Sequence, residues 1–293
     1  MTEALAHLGG QLATGLVEVV DDPAVLDRGW WAVVAGFEGE FLAARFADVR
    51  PAPLPTRPWP GIDRDEWTST LGQDGYVAAV EEVRARIAAG DVYQVNVCRV
   101  LSAPLPSGAD LVGLAGLLAA GNPAPHQGVL RLPDHGLQVA TASPELFLRR
   151  DGRTVVSGPI KGTGRVAADL LLKDRAENVM IVDLVRNDLG AVCETGTVEV
   201  PDLMALEEHP GLVHLMSRVR GRLRGDVGWP SCWPPRSLPG RRAVPRSPVR
   251  CGPSTTSSTP RATSTAVRWG GSTPTPGPPS SRWRSARFGR RPA

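Results

Sequence analysis

The sequence predicts an α+β domain over residues 1–230, joined to a tail over 231–293 that does not belong to it. Three observations carry that expectation. Apolar residues recur at helical spacing over 74–90 and 167–189, several segments alternate as strands do, and composition breaks sharply near Pro230. With 293 residues a sizeable core is available. The chain lacks both an apolar run of the roughly 18 residues a membrane span needs and the charged-then-apolar start of a signal peptide. The expected location is cytoplasmic, without membrane contact. Cys98, Cys193, Cys232 and Cys251 are widely spaced, with no CxxC pair and no adjacent histidine, and are expected to be ordinary reduced thiols.

Residues 74–90 read as a helix. Asp74 is the expected N-cap, Tyr76, Val80, Val83 and Ile87 form an apolar stripe, and Gly90 ends it. A strand is expected over Val92–Arg99, with Gln94 and Asn96 on one face and Tyr93, Val95 and Val97 on the other. After a helix at 109–120, strands at 136–141 and 145–150 lead through Asp151-Gly152, a hairpin-type turn, into Thr154–Ser157. A glycine-bearing loop is expected over 158–165. The pattern at 167–189 is helical, and its centre, Val179–Val185, is apolar nearly all round, which predicts burial. At 100° per residue Lys173, Glu177, Leu184 and Asn187 share one stripe, so a cation and a carboxylate would face the same side of a covered helix. Buried charges are costly unless paired or used, and a Lys173–Glu177 ion pair is the plain alternative to a working site.

In the loop, exposed N–H groups beside Lys161 suit a carboxylate, and Lys161 suits a cation or a nucleophile. Glu145, after Ser143-Pro144, is placed at a strand start where a carboxyl group can act as a general acid. Each alone is a weak signal. In order they are stronger: Gly90-Asp91-Val92-Tyr93-Gln94-Val95-Asn96, Ala142-Ser143-Pro144-Glu145, Pro159-Ile160-Lys161-Gly162-Thr163, Lys173 to Leu184, Arg186-Asn187-Asp188-Leu189-Gly190 and His214-Leu215-Met216-Ser217. This series resembles the chorismate-binding family, which includes anthranilate synthase component I, aminodeoxychorismate synthase component I and the isochorismate and salicylate synthases. The resemblance covers residues 74–225 or so.

The resemblance implies a fold of packed β-sheets flanked by helices, and an activity on chorismate. Water-using members carry a lysine where this chain has Gln94, so the ammonia-using branch is implied. The Pro-Ile-Lys-Gly-Thr form is similar to that of aminodeoxychorismate synthases, whereas anthranilate synthases usually have Ala at the position of Lys161. By that likeness Lys161 is the covalent nucleophile and Glu145 the acid. Gln94, Asn96, Ser143, Gly162, Thr163 and His214 line the substrate pocket, and Glu177 holds Mg²⁺ against the C1 carboxylate. Ammonia would come from a glutamine amidotransferase subunit. Gly164 and Ala191 stand where the family often has Arg, and no tryptophan-feedback element is found near the N-terminus. The alternatives are anthranilate synthase component I and a non-catalytic, frameshifted fragment.

The tail carries the strongest departure. From Ser231 onward there is no Asp, Glu or Lys, while 12 of the 33 basic residues fall there as Arg, leaving the first 230 residues with 21 basic against 30 acidic, net −9. Ser, Pro, Thr, Arg and Gly dominate, with one Leu, one Phe and no Ile, and such a tail is expected to be disordered. Family members continue instead with Leu-Leu-x-Ala-x-Phe-Pro, Gly-Ala-Pro-Lys, Tyr-Cys-Gly-Ala-x-Gly and Ala-Ile-Arg-Thr. Reading the codons one base earlier restores all four in order. The codons of 231–240 permit Glu-Leu-Leu-Ala-Ala-Thr-Phe-Pro-Ala-Gly, with the Ala at 234 forced by the single codon of Trp233. Those of 244–247 permit Gly-Ala-Pro-Lys, those of 265–270 Tyr-Cys-Gly-Ala-Val-Gly, and those of 282–289 Ala-Val-Ala-Ile-Arg-Thr-Phe-Trp. A frame shift near Pro230 is the expectation. The rival, an Arg-rich nucleic-acid-binding or linker segment with Trp233, Trp269 and Trp283 able to stack on single strands, is disfavoured because a natural tail has no reason to comply with the shifted frame.

Overall fold

The computed structural model describes residues 3–36, 41–92 and 95–232 and, as backbone, 264–271 and 280–287. The strands of the first half are β1 (Leu5–Leu8), β2 (Gln11–Val20), β3 (Trp31–Gly36), β4 (Phe41–Pro51) and β5 (Thr68–Ser69), followed by helix α1 (Gln73–Ala89), β6 (Leu101–Ser102) and α2 (Leu111–Gly121). Next come β7 (His126–Leu132), β8 (Leu137–Ser143), β9 (Leu146–Asp151), β10 (Thr154–Gly158), β11 (Ile160–Gly164) and helix α3 (Leu172–Gly190). A hairpin of β12 (Glu199–His209) and β13 (Leu212–Arg222) is followed by the short α4 (Trp229–Cys232), β14 (Ser264–Gly271) and β15 (Ser280–Arg287).

The α+β class is as expected. Thirteen strands form one antiparallel sheet in the order β11-β13-β10-β9-β15-β14-β3-β4-β2-β1-β7-β8, with β12 on the far edge of β13. β10 and β11 run in line along the opposite edge of β13. Strand β3 shows why the sheet must curl. Trp31, Val33 and Ala35 join a core with Leu148, Val155, Val182, Leu189 and Val219, while Ala32 and Val34 join a second core with Ala6, Leu8, Leu130, Leu132 and Val139. Both faces of β3 are therefore covered, which suits its unbroken apolar sequence. Burying each larger aliphatic side chain contributes about 1.5–3 kcal/mol over leaving it exposed. Helix α2, capped by Asp110 whose carboxylate accepts from the Val112 N–H at 3.0 Å, packs on a third cluster with Leu5 and Val129.

Several sequence expectations are corrected. Residues 95–100 take no regular structure, although their alternation reads as a strand, and Asn96 and Cys98 are exposed. Alternation alone does not make a strand without a neighbour to complete its ladder. Helix α1 begins after Gly72, with Asp74 inside its first turn rather than at the cap, and Gly90 closes it at φ 80 as expected. Among its residues only Ala79 is buried. The glycine-bearing segment at 158–165 is largely strand β11, not loop. Helix α3 is not covered all round. It packs one stripe, Asn178, Val182, Val185 and Leu189, while Val179 is 50% exposed and Leu172 86%. The reason is that β13 and β11 meet a single face of the helix. Two segments of the tail are strands, β14 on β3 and β15 on β9, and residues 233–263, 272–279 and 288–293 lie outside the described residues. Among the described residues no helix is long and apolar enough to cross a membrane.

Candidate active site

The site is built around β11. Ile160 pairs with Met216, Thr163 with His214 and Gly164 with Val213, and the register slips between Ile160 and Thr163. Lys161 and Gly162 lie in that bulge, which re-aims the chain as bulges at sheet edges do. Gly162 has φ +92, and a Cβ on it would lie 2.9 Å from the Asp174 Cβ. Only glycine permits this approach to the first turn of α3, where the Asp174 carboxylate accepts from the Leu171 N–H at 2.8 Å. The bulge and the helix bearing Glu177 are thereby brought together.

Glu145 sits in the connection between β8 and β9, where the Ser143 hydroxyl oxygen accepts from its N–H at 3.3 Å. Its Oε1 accepts from the Ile160 N–H at 3.0 Å, and the Lys161 Nζ donates to the Ile160 carbonyl at 2.9 Å. The candidate acid and the candidate nucleophile thus bracket one residue. Lys161 has no carboxylate partner among the described residues, so its amine is not tied up in an ion pair. Across the strand, the buried His214 ring shares a 2.8 Å hydrogen bond between Nδ1 and the Thr163 Oγ1. The His209 ring meets it edge-on, with centroids 5.0 Å apart. Burial, reinforced by neighbouring His209 and opposed by Glu207, pushes the His214 imidazole below its ordinary value. It is held neutral near pH 7, able to donate one hydrogen bond and accept another. The His209 Nε2 lies 3.0 Å from the Glu207 Oε1, at ion-pair distance but without hydrogen-bond geometry.

Glu145, Ser143, Lys161, Gly162, Thr163 and His214 are therefore gathered at the β8–β9 connection, β11 and β13. Asn96 is not joined to them by any hydrogen bond among the described residues, and Gln94 lies outside those residues. Glu177 is half-buried on α3, next to the buried Asn178, and forms no ion pair with the exposed Lys173. The plain alternative of a Lys173–Glu177 surface pair is not what the helix shows.

Residues 42–233 match the profile of the chorismate binding enzyme family, well over half of the chain. The chain belongs to that family. A similar relative is anthranilate synthase component 1 of Streptomyces coelicolor, 44% identical over 169 residues, covering 54% of this chain and 32% of that protein. Aminodeoxychorismate synthase component 1 of Bacillus subtilis is 37% identical over 164 residues, covering 52% of this chain and 34% of that protein. These matches span about a third of the length of either relative. The crystal structure of a 2,3-dihydroxybenzoate-specific isochorismate synthase from Bacillus anthracis superposes with a TM-score of 0.68 at 20% identity, covering 98% of this chain and 86% of that one, which shows the fold.

For a chorismate-binding enzyme the expected cation is Mg²⁺, which takes near-octahedral oxygen ligands. Among the described residues no three His, Cys, Asp or Glu side chains converge to hold a metal ion. Glu177 alone does not make such a site. Two features of this chorismate-binding enzyme escape sequence reading, His209 and Glu207. Their signal was Pro210-Gly211, a turn pair whose two-residue hairpin sets Glu207 opposite His214 and His209 opposite Leu212, on one face of β12–β13.

Proposed function

We propose that this chain carries part of an aminodeoxychorismate synthase component I, which aminates chorismate to 4-amino-4-deoxychorismate on the way to para-aminobenzoate. The observation that carries this reading is the bracket around Ile160, with the Glu145 carboxylate on its N–H and the Lys161 Nζ on its carbonyl. The amine, once deprotonated, adds at C2 of chorismate, forming the Nζ–C2 bond. Both ring double bonds shift, C1=C2 to C1=C6 and C5=C6 to C4=C5, as the C4–O bond breaks, and Glu145 in its protonated form supplies the proton with which the hydroxyl leaves as water. Ammonia then attacks C4, both double bonds return to C5=C6 and C1=C2, and the C2–Nζ bond breaks to release Lys161 as the amine. Gly162 and Thr163 offer donors to a substrate carboxylate. His214, held by Thr163, lines the ring pocket with Ser143, and Gln94 and Asn96 complete it from the preceding segment.

Ammonia is supplied in this reading by a glutamine amidotransferase subunit in the cytoplasm. Glu177 would supply one carboxylate toward Mg²⁺, the chain from Ser231 onward has no Asp or Glu to add a second, and no step above depends on the ion. The 44% identity to the Streptomyces coelicolor protein supports a second reading, amination to anthranilate. Chorismate, ammonium and Mg²⁺ with a chain whose tail has been re-read one base earlier distinguish the two. Aminodeoxychorismate is the expected product, and anthranilate with pyruvate sinks the first reading. Intact mass under turnover should show a covalent adduct on the wild type and none on Lys161→Ala. Full activity in Lys161→Ala removes the lysine from the mechanism. The chain as it stands is expected to show no turnover.

A further inference from the structure

Three neighbouring strands bring one row of polar side chains to the site. Thr163 of β11 and Glu207 of β12 are both registered on His214 of β13, the strand between them. Cross-strand partners share a face, so the three stand side by side, and His209, two residues after Glu207, falls on that same face. The two-residue turn Pro210-Gly211, with Gly211 at φ 78, pins this register. Helix α3 packs on the other face of β13, where Ser217 bonds Asn178, so β13 itself separates the carboxylates of that helix from the His214 ring.

The His214 ring is gripped from two sides. On one, its Nδ1 shares the 2.8 Å hydrogen bond with the Thr163 Oγ1. On the other, the His209 ring meets it edge-on, with 66° between the planes, and the Glu207 Oε1 stands 3.0 Å from the His209 Nε2. A half-turn of the His214 ring would put a carbon where Nδ1 now meets Thr163, and the edge-on neighbour stands in the way of that rotation. The His209 side chain is 12% exposed and that of Glu207 33%, so a charge on either is only partly screened by water. After burial itself, these are the two groups that act on the titration of His214, His209 against its protonation and Glu207 in favour of it. Glu208, next along β12, is exposed on the opposite face, and Lys161 lies two residues from Thr163 on β11.

We propose that Glu207 and His209 are positioning residues for His214, fixing its ring so that the Thr163 hydroxyl donates to Nδ1 and Nε2 presents an N–H donor to a carboxylate-bearing substrate. The substrate in this statement rests on the function proposed above, whereas the fixing of the ring does not. Both residues act through His214. A neutral imidazole has one donor and one acceptor nitrogen, and the bond from Thr163 assigns the acceptor to Nδ1. The His209 ring blocks the half-turn and, when protonated, opposes a second cation beside it. The Glu207 carboxylate, registered directly on His214, pulls the other way and anchors the His209 ring from its far edge.

Side-chain NMR of the 293-residue chain, isotopically labelled at histidine, follows its five histidines, with His209 and His214 identified by signal loss in His209→Phe and His214→Gln. No substrate is needed, so the outcome is independent of which reaction the enzyme carries out. In the wild type His214 should carry its proton on Nε2. His209→Phe keeps the aromatic edge and removes the charge, so that tautomer should persist while the titration midpoint of His214 moves up. Glu207→Gln should move the midpoint down. His209→Ala removes the edge and should give a mixture of the two tautomers. Loosening of the fold would expose the ring and raise the midpoint in every variant, so opposite shifts in His209→Phe and Glu207→Gln separate positioning from structural damage. A wild-type proton on Nδ1, an unmoved midpoint in His209→Phe, or shifts of the same sign in the two variants overturns the proposal. Should Glu207→Gln fail to fold, His209→Phe decides alone: a raised midpoint with the tautomer kept supports the pair, and any other result overturns it. If the histidine signals of the 293-residue chain are not dispersed, the same variants are read in the chain whose tail is re-read one base earlier.

Discussion

Ser217→Ala probes the polar knot that ties α3 to the sheet beside the site. Ser217 and Asn178 are 0% and 1% exposed. The Ser217 hydroxyl donates to the Asn178 Oδ1 at 2.5 Å and accepts the Met204 N–H at 2.9 Å, while the Asn178 Nδ2 donates to the Leu215 carbonyl at 3.1 Å. The Ser217 N–H also donates to the carbonyl of Pro159, two residues before Lys161, at 3.0 Å. Removing the hydroxyl leaves the Asn178 Oδ1 and the Met204 N–H without partners. Each such group costs about 1–3 kcal/mol when buried, and the half-exposed Met204 falls at the low end, so the expected loss is about 2–4 kcal/mol. Urea unfolding, in whichever tail background melts cooperatively, measures it. Adding Asn178→Leu to Ser217→Ala should cost less than the sum of the two single changes, by about 1–2 kcal/mol, because both ends of the bond are then removed together. A loss below about 0.5 kcal/mol for Ser217→Ala, or strict additivity, refutes the reasoning.

The lowered titration of His214 has a consequence for stability against pH. Below its ordinary value of about 6.5 the unfolded chain takes up a proton that the folded chain refuses, so the contribution is intact above that pH and is lost as pH falls through the folded value. His214→Gln should flatten the stability profile below that pH, and an unchanged slope would remove His214 as its source. Burial, with Cys232 nearby, pushes the Cys193 thiol up to about 11, whereas Cys98 is exposed. Iodoacetamide at pH 8 should therefore label Cys98 well before Cys193 in the folded chain, as peptide mass mapping would show, and equal rates would contradict the burial. Gly162→Ala places a Cβ 2.9 Å from that of Asp174 at a φ of +92, and should both destabilise the fold and abolish the Lys161 adduct. Retention of both would mean that the β11 bulge does not position Lys161.

The motifs at Glu145, Lys161 to Thr163, Glu177 and His214 were legible because their chemistry sits in short contiguous segments, and helices α1 and α3 were legible because their apolar spacing is local. The break in composition at the tail was also visible in the sequence by itself, since residues 231–293 hold no Asp, Glu, Lys or Ile. Tertiary structure decided what depends on neighbours. Residues 95–100 alternate as a strand does but find no ladder, and the 158–165 segment reads as a loop yet gains β13 as a partner and becomes β11. Val179 is apolar in a helix that reads as buried, yet it stays half-exposed because the sheet covers only the stripe of Asn178, Val182 and Leu189. The meeting of Glu145 with Ile160, of Thr163 with His214, and of His209 and Glu207 with His214, rests on strand register. Register is a relation between distant segments, fixed by which faces become buried together, and no window of a single segment contains it.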